Sequence, residues 1–231
     1  MQRRGFIKFC TVSLVAGGSS PVTADAMPRL YSRARLVDEI GNPLRSKSIP
    51  AGRNLIFHYP YASTPCFLLN LGRPAKASAQ LKTVDHQPYE WRGGVGAERS
   101  IVAYSAICAH KLTYPTRDIS FISYRAEKSA SNRTAAVIHC CSEHSQYDPA
   151  EGARVVAGPA PQPLASILLE HDAAADALFA VGTLGGELFN EFFSKYEFKL
   201  ALEHGSAARR AVAGSCIVQE LDNYCRQQVK C

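Results

Sequence analysis

Several things are scarce in this 231-residue chain. Its most obvious apolar stretch near the start, residues 9–16, falls far short of the ~20 residues that a membrane-spanning helix needs, and no other segment comes closer. No cluster of lysine and arginine interleaved with aromatics is present, which argues against nucleic acid as a partner. Internal repeats and low-complexity tracts are missing. So are a G-x-S-x-G elbow, a phosphate loop and a paired-carboxylate arrangement. Gly93-Gly94-Val95-Gly96 lacks a following helix signal and reads as a turn. Nothing in the chain marks an autonomous active site.

The formal net charge is +6. Residues 1–26 carry Arg3, Arg4 and Lys8 against Asp25, so +4 belongs to the rest. Arg3-Arg4-Gly5-Phe6-Ile7-Lys8, the short apolar stretch after it and Ala24-Asp25-Ala26 occur in the order of a twin-arginine export signal with a cleavage site. The expectation is a signal over 1–26 and export to the periplasm in the folded state, with membrane association through a partner or an uncleaved signal as the variant. Eight cysteines are present, one of them (Cys10) inside that signal. The remaining seven are Cys66, Cys108, Cys140, Cys141, Cys216, Cys225 and Cys231. In an oxidising compartment they would tend to pair, but seven is odd.

Short apolar runs bounded by glycine and proline recur at residues 34–37, 54–59, 66–71 and 100–107, and they read as strands buried on both faces. Residues 74–90 are more polar and read as loop. Residues 118–138 read as a hairpin with a polar turn at 127–133, and 166–169 and 177–181 are further strands. From Glu187 the period changes: Leu188, Phe192, Tyr196 and Leu200 recur at helical spacing until Gly205. That stripe is expected to pack on the sheet, with a docking surface as the alternative. Residues 206–231 form a tail, helical or extended. Within it Cys216–Cys225 is the expected disulfide, with Cys66 and Cys231 as competing partners.

The informative feature is Cys108-Ala109-His110 followed by Cys141-Ser142-Glu143-His144. Each element offers one thiolate and one imidazole close enough to converge from a single loop. The mixed set suits tetrahedral zinc or a [2Fe–2S] cluster with two histidines on one iron. Cys140 adjoins Cys141, but from there His144 is four residues on. His139, His58, His86, His171 and His204 are single histidines that fit surface or satisfied core positions.

The second element continues as Ser145-Gln146-Tyr147-Asp148-Pro149, and Gly158-Pro159-Ala160-Pro161 follows. In that order these motifs resemble the Rieske family over about residues 100–170. The resemblance implies a mainly β fold: an antiparallel β-sandwich over 27–205 with a cluster-binding subdomain inserted at about 106–162, and a helix towards the C-terminal end. It also implies one [2Fe–2S] cluster per chain. Cys108 and Cys141 would hold the inner iron and His110 and His144 the outer one, with Ser145 and Tyr147 tuning the potential through hydrogen bonds to sulfur. Histidine ligation places such centres at roughly −150 to +300 mV, against about −400 mV for plant-type all-cysteine clusters.

The chain departs from the family pattern in three places, one of them an insertion between the two loops that is longer than in compact members and that the hairpin at 118–138 would accommodate. The cysteines that staple the two loops in many quinol-oxidising members are replaced here by Thr113 and Glu143. Ser145 and Tyr147 also sit one residue nearer the histidine than in H-G-S-x-Y. The function expected is one-electron transfer as the iron–sulfur subunit of a quinol:cytochrome c-type oxidoreductase, with a cytochrome b-type partner, quinol and a c-type cytochrome. The alternative is the small subunit of an exported molybdenum oxidoreductase relaying electrons to a c-type cytochrome. More distant is a zinc-stabilised binding module on the same four ligands.

Overall fold

A computed structural model describes residues 27–128 and 134–231. The segment expected to be an export signal and part of the turn expected at 127–133 lie outside these residues. The strands, in chain order, begin with β1 (Arg29–Val37), β2 (Leu55–His58), β3 (Pro65–Asn70), β4 (Ala79–Lys82), β5 (Pro88–Trp91) and β6 (Ile101–Ser105). Next come β7 (Ile119–Ser120), β8 (Ile122–Arg125), β9 (Val137–Cys140), β10 (Ser145–Asp148) and β11 (Arg154–Ala157). The long pair β12 (Ser166–Asp172) and β13 (Ala177–Leu184) precedes helices α1 (Phe189–Lys195) and α2 (Glu197–His204). β14 (Gly214–Ile217), β15 (Gln219–Glu220), the single turn α3 (Leu221–Tyr224) and β16 (Gln227–Gln228) complete the order. None of the described helices is long and apolar enough to cross a membrane.

Eight strands form one sheet in the order β14-β1-β13-β12-β6-β3-β2-β15. Its pairs are antiparallel except β1 with β14. β14 and β15 stand at opposite edges, yet only Val218 separates them in the chain. One residue spans at most ~3.6 Å. The edges are therefore close together, and the sheet is curled almost into a barrel.

That curl explains the uninterrupted apolar runs. Inside the curl, Leu55 and Phe57 of β2, Cys66 and Leu68 of β3, and Ile101 and Ala103 of β6 share one core. The alternate residues Ile56, Phe67, Leu69, Val102 and Tyr104 face outward into a second core. A strand with both faces covered has no polar side to alternate with. The second core is completed by a four-stranded sheet, β11-β10-β9-β8, inserted between β6 and β12. The mainly β architecture is thus present, with the inserted layer lying on the outer face of the curled sheet.

Residues 74–90, read from sequence as loop, contain most of the hairpin β4–β5. Its Leu81, Tyr89 and Trp91 are buried in the second core, and the alternating burial of four-residue strands is too short a pattern to stand out. The helix expected after Glu187 is two helices that meet at Tyr196. Its aromatic stripe, expected to pack on the sheet, packs on the segment around Cys108: Phe189, Phe192, Phe193 and Leu200 cluster with Ile107, Leu112 and Tyr114, which lie beyond the end of β6.

Candidate metal centre

β6 delivers the chain to a first loop, and β9 to a second. The first closes on itself: the Leu112 amide donates to the Cys108 carbonyl at 2.9 Å, and the Cys108 amide to that of Thr113 at 2.8 Å. The second is the short connection of residues 141–144 between β9 and β10. Ser145 pairs with Cys140, and Tyr147 with Ile138. Alternation then aims Cys140, Ser145 and Tyr147 at the same buried face, where each is essentially inaccessible.

The two loops bring Cys108 and Cys140 together, their thiols within hydrogen-bond reach of each other. The Cys108 sulfur also accepts backbone N–H groups of His110 and Lys111, and the Cys140 sulfur those of Ser142 and Glu143. Tyr147 Oη accepts the amide of Ala109 at 3.2 Å, which leaves its proton free for Cys108 Sγ, also at 3.2 Å. The Cys140 thiol, these amides and this hydroxyl draw the Cys108 thiol down to about 6. Cys140 moves upward, because the two sulfurs share a proton that Cys140 retains.

The imidazoles lie at the loop tips. His110 is partly buried and His144 exposed. Between the tips, Lys111 Nζ and Glu143 Oε1 pair at 3.0 Å. The Lys111 ammonium holds the Glu143 carboxyl below its ordinary range, and His110 and His144 act weakly in the same direction, so both rings lie near that carboxylate. The ion pair joins the loops where no disulfide does. Gly158, at the start of Gly-Pro-Ala-Pro, has φ +84°, and a Cβ there would stand 2.5 Å from the His144 carbonyl oxygen and from Ser145 Cα. Glycine therefore lets this third segment seat against the second loop's backbone.

The arrangement suits a cluster with sulfur and nitrogen ligands. Among the described residues, His110 Nδ1 and Ser145 Oγ are buried without a hydrogen-bond partner, beside two paired sulfurs of which Cys108 is favoured as the thiolate while Cys140 keeps the shared proton.

Not every expected residue falls in place. Cys141 does not join Cys108: its sulfur is bonded to Cys231. His139, Cys141 and Cys231 lie within 4.8 Å of one another, but with the sulfurs bonded only one imidazole remains, and that holds no metal. The disulfide expected between Cys216 and Cys225 is absent. Both are buried free thiols, Cys216 inside the curled sheet and Cys225 in the outer core, with the sheet between them.

In the order of its Cys-x-His, Cys, His, Ser, Tyr and Gly-Pro-Ala-Pro motifs the chain resembles Rieske-type proteins. Known proteins add two likenesses. Iodate reductase subunit IdrB from Pseudomonas sp. (strain SCT) is 29% identical over 191 residues, covering 80% of either chain. The soluble domain of the Rieske protein II (soxF) from Sulfolobus acidocaldarius is 24% identical with a TM-score of 0.45, covering 66% of this chain and 78% of that one. No family profile matches the chain.

Proposed function

We propose that this chain is the electron-transferring Rieske subunit of an exported oxidoreductase, holding one [2Fe–2S] cluster between the loops that follow β6 and β9. The observation that carries the reading is the convergence of two buried sulfurs and two tip histidines on a polar network with no other evident purpose. Cys108 and a second-loop thiolate would be the inner ligands, and His110 and His144 the outer ones. When bound, the cluster supplies a one-electron couple.

The chain's own groups prepare for that couple. The amides and the Tyr147 hydroxyl stabilise negative charge on sulfur, and more of it accumulates on reduction. The Ser145 hydroxyl is a further donor on the same buried face. Burial by Leu112, Tyr114 and the helices keeps water from the Cys108 side, while the second tip, with His144 exposed, faces outward.

Of the two complexes considered, the small subunit of a molybdenum oxidoreductase relaying electrons to a c-type cytochrome is the better supported. IdrB is by its name a subunit of a reductase. Export by the twin-arginine route to the periplasm belongs to the same proposal and rests on Arg3, Arg4 and the residues after them. The full chain should purify with iron and acid-labile sulfide and show a reduction-dependent electron paramagnetic resonance signal at low temperature. Stoichiometric zinc without sulfide would favour the binding-module reading. Co-purification with a cytochrome b instead of a molybdenum subunit would favour the quinol-oxidising complex.

A further inference from the structure

We propose that the second thiolate ligand is Cys140, not its neighbour Cys141, and that Cys141 is committed to a disulfide with Cys231 that straps an arm of the chain to the second ligand loop. This deepens the cluster reading above and rests on it.

Three independent observations converge. The first is the pleat of β9. Ile138 and Cys140 face the outer core, while His139 and Cys141 face the other way, towards Cys231. A strand can send only one of two adjacent side chains to a given face.

The second is the likeness of the two loops when they are counted from Cys108 and Cys140. In each, the backbone amides two and three residues on point at the cysteine sulfur. In each, the fourth residue, Leu112 or His144, takes a left-handed backbone, with φ of 60° and 59°. The third residues, Lys111 and Glu143, bond to each other across the gap. Counting from Cys141 destroys all three correspondences.

The third is the arm. Backbone amides of Arg226, Gln227 and Val229 donate to the carbonyls of Arg117, Asp118 and Ser120 at 2.9, 3.1 and 2.8 Å. β16 adds in parallel to β7, and Arg125 holds the Val229 carbonyl at 2.6 Å. The arm is therefore laid down residue by residue until Cys231 meets Cys141. Many Rieske proteins staple loop to loop, whereas this chain staples its second loop to the arm. The ligand spacings become Cys108-x-His110 and Cys140-x-x-x-His144. The odd cysteine count resolves into two ligands, one disulfide and three buried thiols: Cys66, Cys216 and Cys225.

The test uses the full chain with three single variants and a thiol map. Cys141→Ser and Cys231→Ser should retain wild-type iron, sulfide and resonance signal, whereas Cys140→Ala should fall at least tenfold in iron and sulfide per chain. Alkylation of the wild type after acid release of the cluster, followed by fragmentation mass spectrometry, should find Cys141 linked to Cys231 and Cys108 and Cys140 alkylated. A cluster lost in Cys141→Ser but kept in Cys140→Ala, or a map with Cys141 alkylated and unlinked, overturns the assignment. Should Cys140→Ala not fold, the wild-type map decides alone. A wild type without iron or sulfide would instead sink the cluster reading on which the assignment stands.

Discussion

Tyr147 shows how much one hydroxyl does here. Its proton goes to Cys108 Sγ because its lone pair is engaged by the Ala109 amide. A bond to a sulfur that gains negative charge stabilises the reduced state more than the oxidised one. Losing about 1 kcal/mol of such preference corresponds to a shift on the order of 40 mV in a one-electron couple. Tyr147→Phe should lower the midpoint by about that much, and protein-film voltammetry of the variant measures it; an unchanged midpoint removes the tuning role. Gly158 is the other decisive single residue. Gly158→Ala forces a left-handed alanine whose Cβ meets the backbone of the second loop. A cost of roughly 1–3 kcal/mol is expected from the strain, visible as a lower urea midpoint together with faster loss of iron on dilution.

Among the elements, the α1–α2 pair packs against the loop that carries Cys108. Phe192 is fully buried, and its ring meets Tyr114 edge-on at 4.9 Å, six residues past Cys108. Phe192→Ala should cost about 3–5 kcal/mol, and protease should then cut first within residues 109–116. Cleavage starting elsewhere would show that the helices do not brace that loop. The last residue of β2 is a pH-dependent group. His58 packs against Tyr224, with His204 and Arg117 nearby, and burial first, then these charges, lower its imidazole to about 4. The folded protein then resists protonating His58 while the unfolded chain accepts a proton from about pH 6.5 downward. This contribution to stability is complete above pH 6.5 and is lost as pH falls towards 4, by at most about 1.4 kcal/mol per unit. Urea unfolding at pH 7 and pH 4.5 should show a smaller pH effect in His58→Leu than in the wild type.

At the scale of the whole molecule, the chain after β14 ties the parts together. It closes the edge of the curled sheet through β15, runs along β7, and ends its described course on Cys141. The disulfide joins residues 90 apart in sequence. Removing a link that closes so long a loop should cost roughly 2–5 kcal/mol. Cys231→Ser should unfold at a lower urea midpoint than the wild type under non-reducing conditions, and a reductant should bring the wild type down to it. If the reductant leaves the two as far apart as before, the link is not present in solution.

Much of this was legible in the residues. Runs such as Cys66-Phe67-Leu68-Leu69 marked strands covered on both faces, because nothing polar alternates with them, and the ordered Cys-x-His, Cys, His, Ser, Tyr and Gly-Pro-Ala-Pro motifs marked two facing loops. Counted from Cys140, Ser145 and Tyr147 fall five and seven positions on, as in the Rieske pattern C-x-x-H-G-S-x-Y. The apparent shift of Ser145 and Tyr147 was thus an extra residue before His144, a signal the sequence carried. What it could not decide was which of two adjacent cysteines faces inward. Hydrophobic patterning is nearly silent at a strand's last residue, and a one-residue change of register exchanges the faces. That choice belongs to β9 as held between β8 and β10. The Cys141–Cys231 link likewise depends on the path of an arm that only backbone pairing to β7 defines, since no local pattern relates residues 90 positions apart.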